Sequence, residues 1–557
     1  MAQNRLILDY VLDHEEKLRD RVYMTQPLGN EQVTDYTWGR VVDESRRMAA
    51  HLQTQGLPRG ARIAILSKNC AHFIMAELAI WIAGYTTVAI FPTETSEIIN
   101  YVLTHSEASL LFVGKLDSWP QQKPGVPSGL PCIALPLAPK TECDTWDAIV
   151  ARTAPLAGRP QRTADELAML IYTSGSTGQP KGVMVRFDAF TRASEGIAAD
   201  VQRRTGSENR MLSYLPLAHS FERSWAEGSS LVDGRTHLFF AESLDTFLKD
   251  LQRTRPTLFL SVPRLWLKFQ QGVFAKMPPA KLDRLLGIPI LGKIVARKVR
   301  KGLGLDQVRL AGSGSAPIPP ALIAWYRRIG LPLYEGYGMT EDSSYSHVSN
   351  EEHNAPGYVG VPLPGVEVKL SSAGEILIKS PGQCSGYYKQ PELTAESFTE
   401  DGFFRTGDLG ERRPDGLLKL TGRAKELFKT AKGKYVAPAP IENRINAHPM
   451  VELSLVSGVG QPAAYAMVLL AENLRPRMRE ADARAQVEKE LHDLLQQVNA
   501  ASPDHEQLHM IVIAQDPWSI ENGFLTPTMK IRRGRIEAAM APHVDAWYAS
   551  GKQVHWT

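Results

Sequence analysis

Residues 172–185 read YTSGSTGQPKGVMV, and their reading decides what kind of chain this is. Three glycines, four Ser or Thr hydroxyls and one lysine are packed between the apolar runs Leu167–Ile171 and Val183–Val185. Glycine lets backbone N–H groups approach and curl around an anion, while Ser, Thr and Lys add donors and a positive charge. The flanks predict strand, glycine loop, strand. A Walker A site is strand, loop, helix, and its GxxxxGK[ST] spacing is absent here. A solvated hairpin tip is the plain alternative, but a tip has no need of hydroxyls at 173, 174, 176 and 177.

On the N-terminal side of this loop, Ala61–Leu66 reads as strand, Ala71–Ala83 as helix and Thr86–Ile90 as strand. Ser96–Thr104 and Ser109–Val113 repeat the alternation, which predicts a parallel sheet with crossover helices. The run Ile74–Pro92 is apolar enough to resemble a membrane span, but Glu77 lies inside it and Gly84, Thr86 and Thr87 punctuate it. A buried helix followed by a buried strand fits better. Leu116 to Arg162 is rich in Pro, Gly and polar residues and reads as irregular surface. Beyond the loop, Phe190, Ala193, Ile197 and Val201 share a helical face. Met211–Leu215, His237–Phe240, Thr257–Ser261, Val308–Ala311 and Leu331–Tyr334 are strand-like. Val366–Leu370 and Glu375–Ile378 predict a small β-rich unit, after which the pattern changes. The expected division is residues 1–421 and 422–557.

At 557 residues the chain is too long for one core. Its net charge of +3 gives no reason to expect a nucleic-acid partner. Cys70, Cys132, Cys143 and Cys384 form no CxxC pair and no metal spacing, so they are expected to be packing thiols in a reducing compartment. Asp9, Asp13 and Glu15 interrupt the N-terminal apolar character, so the first residues do not read as a signal peptide and a cytosolic protein is expected. Lys293, Arg297, Lys298, Arg300 and Lys301 form a basic stretch that suits peripheral contact with an anionic membrane, a solvated helix face being the plainer reading.

Five further stretches carry chemistry. Tyr334–Glu341 reads YEGYGMTE and follows a predicted parallel strand, where such sheets bind ligands. Tyr337 offers a flat face for a purine, Gly336 and Gly338 permit close backbone approach, and Glu341 is a hard oxygen ligand suited to Mg²⁺. Residues 312–317, GSGSAP, precede it. Within DGFFRTGDLG, Asp408 sits on a tight turn where a carboxylate accepts two ribose hydroxyls, an Asp-capped turn being the bland reading. Gly422–Val436, GRAKELFKTAKGKYV, is rich in lysine and lies at the expected boundary, and LTPTMKIRR at 525–533 places Lys530 after a Pro-containing loop.

Six motifs in a fixed order, spanning nearly the whole chain, resemble the adenylate-forming (AMP-binding) enzymes. PLAHSFERSW (216–225), VPRLW (262–266), DGFFRTGD (401–408) and LTPTMK (525–530) resemble their long-chain fatty acyl-CoA synthetase branch. The resemblance implies an α/β fold. Its large N-terminal domain would hold two parallel-sheet subdomains and a small β-barrel-like unit, followed by a smaller, mobile α+β C-terminal domain. It implies that Thr173, Ser174, Gly175, Ser176, Thr177, Gly178 and Lys181 hold the ATP phosphates, with Glu341 and Thr177 on Mg²⁺. Gly314, Ser315 and Ala316, with Gly336, Tyr337, Gly338, Met339 and Thr340, would frame adenine. Asp408 and Arg423 would hold the ribose, Lys425 would mark the hinge, and Lys530 would be the adenylation lysine. His219 matches the family's gate residue, and Phe221 and Trp225 are candidate walls of the acyl channel.

The activity so implied is ATP-dependent conversion of a fatty acid to acyl-AMP and then to the coenzyme A thioester. Lys432–Gly433–Lys434 departs from the family's usual wording near the coenzyme A gate, though two lysines suit that cosubstrate's phosphates. Two rival readings stand beside this one. A fatty acyl-AMP ligase delivering to a carrier protein would carry an insertion in the large domain, and only 66 residues separate Glu341 from Asp408. A non-catalytic nucleotide-binding protein would be expected to lose Glu341, Lys530 or Lys181, and this chain keeps all three.

Overall fold

The computed structural model describes residues 5–174, 179–206, 208–526 and 528–557. Its first sheet has seven strands, in the order Asp144–Thr145, Cys132–Ala134, Ala108–Val113, Arg62–Leu66, Thr86–Ile90, Leu167–Ser174, Pro180–Arg186. All neighbours are parallel except the last pair, which is the hairpin that carries the glycine loop. All thirteen residues of the helix Ala71–Ala83 are buried, as a sequence apolar on every face except at His72 and Glu77 leads one to expect. Burial of Phe73, Ile74, Leu78, Ile80 and Trp81 stabilises the fold by roughly 1.5–3 kcal/mol each. Gly84, at φ 96°, ends this helix in the left-handed conformation that a β-carbon disfavours. Among the described residues no helix is long and apolar enough to cross a membrane.

The one acidic residue of that helix, Glu77, accepts a 2.5 Å hydrogen bond from Arg223 Nη1, and Arg223 Nε lies 3.4 Å from Glu227. All three side chains are buried. Removing Glu77 would strand the Arg223 guanidinium in the core, at a cost of about 3–5 kcal/mol.

A second layer contains two sheets. Asn209–Ser213, Thr236–Phe240, Val22–Gly29 and Gln32–Thr37 form one, and Leu258–Ser261, Leu310–Ser313, Leu333–Tyr337, His347–Val348 and Val361–Pro362 form the other. In the latter the first three strands are parallel. Their side chains alternate between two cores: Phe259, Ala311 and Leu333 face the cluster that holds Trp266 and Tyr326, while Leu260, Leu310 and Tyr334 face the large central core. A four-stranded antiparallel sheet follows (Glu367–Leu370, Glu375–Lys379, Phe404–Arg412, Leu418–Arg423). Leu418 exchanges backbone hydrogen bonds with Val359 and Gly360, which ties this unit to the end of the five-stranded sheet.

The last strand of that unit runs through Thr421 to Arg423, and the next hydrophobic core begins at Phe428. There a mixed sheet (Val451–Ser457, Ala464–Leu470, Leu508–Ala514, Val554–Trp556) is covered by the helix Ala481–Ala500 on one face and Arg533–Ser550 on the other. The chain is thus α/β with a large N-terminal and a smaller C-terminal domain.

Two expectations are corrected. Cys132 and Cys143 are joined in a disulfide, with Cα atoms 5.4 Å apart, and only Cys70 and Cys384 remain as buried thiols. Parallel pairing of Ile133 with Asp144 brings the two together across the sheet edge, a proximity that linear spacing does not reveal. Cysteine usage therefore gives no argument for a reducing compartment. The stretch from Leu116 to Arg162 is not merely irregular surface: it supplies two edge strands of the seven-stranded sheet and the helix Trp146–Arg152. Strands of three and two residues are too short for periodicity to register.

Candidate active site

The glycine-loop hairpin pairs Thr173 with Lys181 and Ser174 with Pro180, so its register sends Lys181 out beside the loop. Gly175, Ser176, Thr177 and Gly178 lie outside the described residues. A segment that sequence reasoning did not single out, residues 384–388, adds to the hairpin's outer edge. Met184 N–H donates to Gly386, Ser385 N–H to Met184 and Tyr388 N–H to Gly182. It also fixes Glu341, because Cys384 N–H donates to the Glu341 carbonyl at 2.7 Å and the Tyr387 hydroxyl donates to Glu341 Oε1 at 2.8 Å. The Lys181 ammonium stands 5.5 Å from the Tyr387 ring centroid. Its pKa is lowered, first by loss of water around it and then by Lys425, with Glu341 pulling the other way. Tyr387 is thus the residue that joins the expected phosphate loop to the expected metal ligand. Its only sequence signal was the aromatic pair in SGYYKQ.

The loop Met339–Ser344 is held from inside. Asp342 Oδ1 accepts from Met339 N–H at 2.9 Å, and its burial raises its pKa to about 8. Thr340 Oγ1 lies 3.2 Å from Ser220 Oγ, Ser344 Oγ donates to Ser220 at 3.0 Å, and Trp225 Nε1 donates to the Ser344 carbonyl at 3.1 Å. The segment from His219 to Trp225 is therefore fastened to the loop that carries Glu341. Between them lies a cleft of about 580 Å³, its mouth included. His219, Phe221 and Trp225 line one side, and the backbones of Gly312, Gly314, Gly336 and Gly338 line the other. At Gly338 a β-carbon would stand 3.0 Å from the Ser344 backbone, so a side chain there would push the two strands of the loop apart. Ser315, at φ 66°, and Tyr337 also line the cleft, while Ala316 is exposed outside it.

His219 Nδ1 accepts from Phe221 N–H at 3.1 Å, which leaves the proton on Nε2. Burial, reinforced by Lys530, pushes its pKa down to about 3. The imidazole is a neutral wall of the cleft, and any role it has does not use titration near neutrality.

Asp408 stands behind Tyr337 of the cleft wall. Its strand pairs it with Arg423, whose Nε meets Asp408 Oδ1 at 2.8 Å, while the Tyr337 hydroxyl donates to Oδ2 at 2.7 Å. The carboxylate raises the Arg423 pKa. Lys425 follows in the single helical turn Ala424–Glu426. Lys530 arrives from the C-terminal domain on an exposed turn that Thr526 closes: Thr526 N–H donates to the Lys530 carbonyl at 2.8 Å, and Lys530 N–H to Thr526 Oγ1 at 3.1 Å. The side chain is exposed on its turn, yet it lies close enough to the large domain for the ammonium pKa to be lowered, first by partial loss of water and next by Arg423, with Asp408, Glu341 and Glu426 opposing. The expected phosphate lysine, metal ligand, ribose pair and adenylation lysine are thus neighbours of one another, joined to the cleft through Tyr337.

Among the described residues no cluster of three or more His, Cys, Asp or Glu side chains could hold a metal unaided. A single carboxylate, oriented by a tyrosine, fits an ion that takes most of its ligands from phosphate and water, as Mg²⁺ does.

Residues 13–388 match the family model described as AMP-binding enzyme, and residues 426–552 match the AMP-binding enzyme C-terminal domain. The chain belongs to the AMP-binding enzyme family. Within it, the chain is 29% identical to Long-chain-fatty-acid–CoA ligase FadD15 of Mycobacterium tuberculosis, over 97% of this chain and 96% of that protein. It is 28% identical to human Long-chain-fatty-acid–CoA ligase 1, over 88% and 78% respectively. Among solved structures it resembles the A domain of carboxylic acid reductase from Segniliparus rugosus (TM-score 0.81, 23% identity, 99% of this chain and 95% of that one). It also resembles the anthranilate CoA ligase AuaEII (TM-score 0.78, 18% identity, 98% and 99%). These structural likenesses establish the fold, which the two family models divide into an AMP-binding region and its C-terminal domain.

Proposed function

We propose that this AMP-binding enzyme is an acid–thiol ligase that activates a fatty acid, of long chain, as acyl-AMP and transfers it to coenzyme A. The observation that carries the reading is the geometry in which Arg423 and Tyr337 hold Asp408 while Tyr387 holds Glu341, with Lys530 of the C-terminal domain an electrostatic neighbour of Arg423, Asp408 and Glu341. The names of the relatives above, aligned over most of both chains, support the substrate class.

In the first step the acid's carboxylate oxygen attacks the α-phosphorus of ATP and pyrophosphate departs. Negative charge accumulates on the phosphoryl oxygens, and Lys530 is the mobile donor that meets it. Lys181 and the glycine loop hold the β- and γ-phosphates. Glu341 is the residue that would hold Mg²⁺, which when bound neutralises phosphate charge. Asp408 accepts the ribose hydroxyls while Arg423, paired with its Oδ1, fixes the orientation of that carboxylate. Tyr337 gives the purine a flat face. In the second step the coenzyme A sulfur attacks the acyl carbon, AMP leaves, and the thiol proton is lost to solvent. For this step we place the hinge at Lys425, about which the C-terminal domain turns to withdraw Lys530. The hairpin Phe428–Lys429 and Tyr435–Val436, with Lys432 and Lys434 at its tip, would then come to the cosubstrate's phosphates.

The test is thioester formation across unbranched acids from acetate to stearate and one aromatic acid, with pyrophosphate release followed in parallel. The reading expects coenzyme A-dependent thioester that peaks at long chains. Pyrophosphate and acyl-AMP without thioester would move the chain to the acyl-AMP ligases, and silence in both channels would overturn the reading.

A further inference from the structure

Exposed apolar side chains are scattered over this molecule except in one place. Of the thirteen exposed large hydrophobics among the described residues, four fall within seven residues: Ile288 (43% exposed), Ile290 (75%), Leu291 (39%) and Ile294 (59%). They form the tip of a helical hairpin built from Pro279–Leu286 and Leu291–Gly302. Its inner face is anchored: Leu282 and Ala296 are buried in the cluster with Trp266 and Tyr326, behind the five-stranded sheet that lines the cleft. The tip is folded rather than loose. A β-carbon at Gly292 would stand 2.5 Å from the Leu286 carbonyl oxygen, so only glycine lets the two helices meet so closely. Gly292 N–H donates to Ile288, and Ile294 N–H to Ile290. Ile290 is held at φ 63°, a conformation a β-branched residue rarely adopts. The fold thus holds an apolar residue in a costly conformation where water meets it.

The flanks have a charge to match. Between residues 281 and 301 stand seven Lys or Arg and one Asp, in a chain whose net charge is +3. Lys281, Arg284, Lys293, Arg297, Lys298 and Lys301 are all exposed. Ile290, Ile294, Lys298 and Lys301 follow one another along one side of the helix at spacings of three and four, so apolar tip and basic stem face the same way.

We propose that this hairpin docks the protein on an anionic lipid bilayer, its apolar tip entering the boundary of the acyl chains and its basic stem lying along the headgroups. An apolar, rigid tip has no use on a nucleic acid, where the basic residues alone would serve. A second copy of the chain is disfavoured because a two-fold contact would bring two strongly basic hairpins together. An anionic bilayer satisfies both halves, because apolar burial and attraction to acidic lipid add. The proposal stands on exposure and charge and does not depend on the acid the enzyme activates.

The experiment is co-sedimentation of the full chain with phosphatidylcholine vesicles made with and without phosphatidylglycerol, at low and high salt. Wild type is expected to bind the phosphatidylglycerol vesicles and to be released by salt. Ile290→Asp with Ile294→Asp should lower binding at least about tenfold, since two isoleucines lose their apolar environment. Arg297→Glu with Lys298→Glu should lower it by an order of magnitude or more, each basic residue contributing about fivefold. Unchanged melting temperature in the variants shows that docking, not folding, was lost, and a single Ile290→Ser replaces any variant that fails this check. Wild type that stays in the supernatant, or binding that none of the variants alters, overturns the proposal. So does light scattering that finds a dimer which the Ile290→Asp variant dissociates, because the tip would then belong to a second copy.

Discussion

Lys181 and Lys530 are both electrostatic neighbours of Glu341, yet they reach it in different ways. Lys181 is set by hairpin register, cross-strand from Thr173, and by the aromatic ring of Tyr387, itself hydrogen-bonded to Glu341. Everything that positions it belongs to the large domain. Lys530 is set by an exposed turn of the C-terminal domain, and its partners Arg423, Asp408 and Glu341 lie across the boundary between the two cores. In the proposed reaction one cation is built in and the other is delivered. A charge that must act in one half-reaction and be absent from the next has to be carried by the part that can leave.

The sharpest way to break this contrast is Lys530→Ala. Acyl-AMP formation should fall about 10²–10³-fold, the size typical of one lost electrostatic stabiliser, while thioester formation from supplied acyl-AMP should be nearly unchanged. Single-turnover assays of each half-reaction check this, and equal losses would make Lys530 a structural residue. Lys425→Pro tests delivery itself. Fixing the backbone at the turn Ala424–Glu426 should impair thioester formation about tenfold more than adenylation, since a locked φ limits the rotation there. Equal impairment would remove the hinge assignment. Lys181→Ala should act on the ATP side alone, raising KM for ATP about tenfold, the loss of roughly one charge-assisted contact, with chain-length preference unaltered. A change in acyl preference would mean that the built-in lysine is not confined to the phosphates.

The fixed region also carries a smaller signature in stability. Burial raises Glu222, Glu335 and Asp342 to about 8, so each keeps its proton in the folded state after the unfolded chain has released its own. Fewer protons on the unfolded state mean that stability falls as pH rises through this window. His219 and the buried His347, lowered to about 3, and His237, lowered to about 4, act in the opposite sense, but only below the unfolded histidine value near 6.5. Between about pH 6.5 and 8 the acids act without that opposition, and the melting temperature should decline. Glu222→Gln should shallow the decline, because the neutral amide can still accept from Tyr214 N–H and has no proton to lose. A melting temperature that rises over this range would overturn the assignment of these groups as buried neutral acids.

Much of this molecule was legible in its sequence, and the reason is local. Ala71–Ala83 and Thr86–Ile90 have the observed bounds because an apolar helix stopped by glycine and a β-branched run need no distant partner to declare themselves. The glycine-loop hairpin, the GYGMTE loop and the strand pair that holds Asp408 and Arg423 are likewise written in contiguous residues. What the sequence left hidden depends on pairing across space. The Cys132–Cys143 disulfide and the edge strands beside it rest on a register set by neighbouring strands. Tyr387 holds Glu341 because its segment docks on a hairpin about two hundred residues earlier, and Ala316 falls outside the cleft because the chain turns at Ser315. His219 looks from its sequence like a group that titrates, but burial beside Lys530 keeps it neutral. Residue type and spacing determined the chemistry available to this protein. Desolvation and register, which depend on the whole packed structure, decided which groups meet and which of them carry charge.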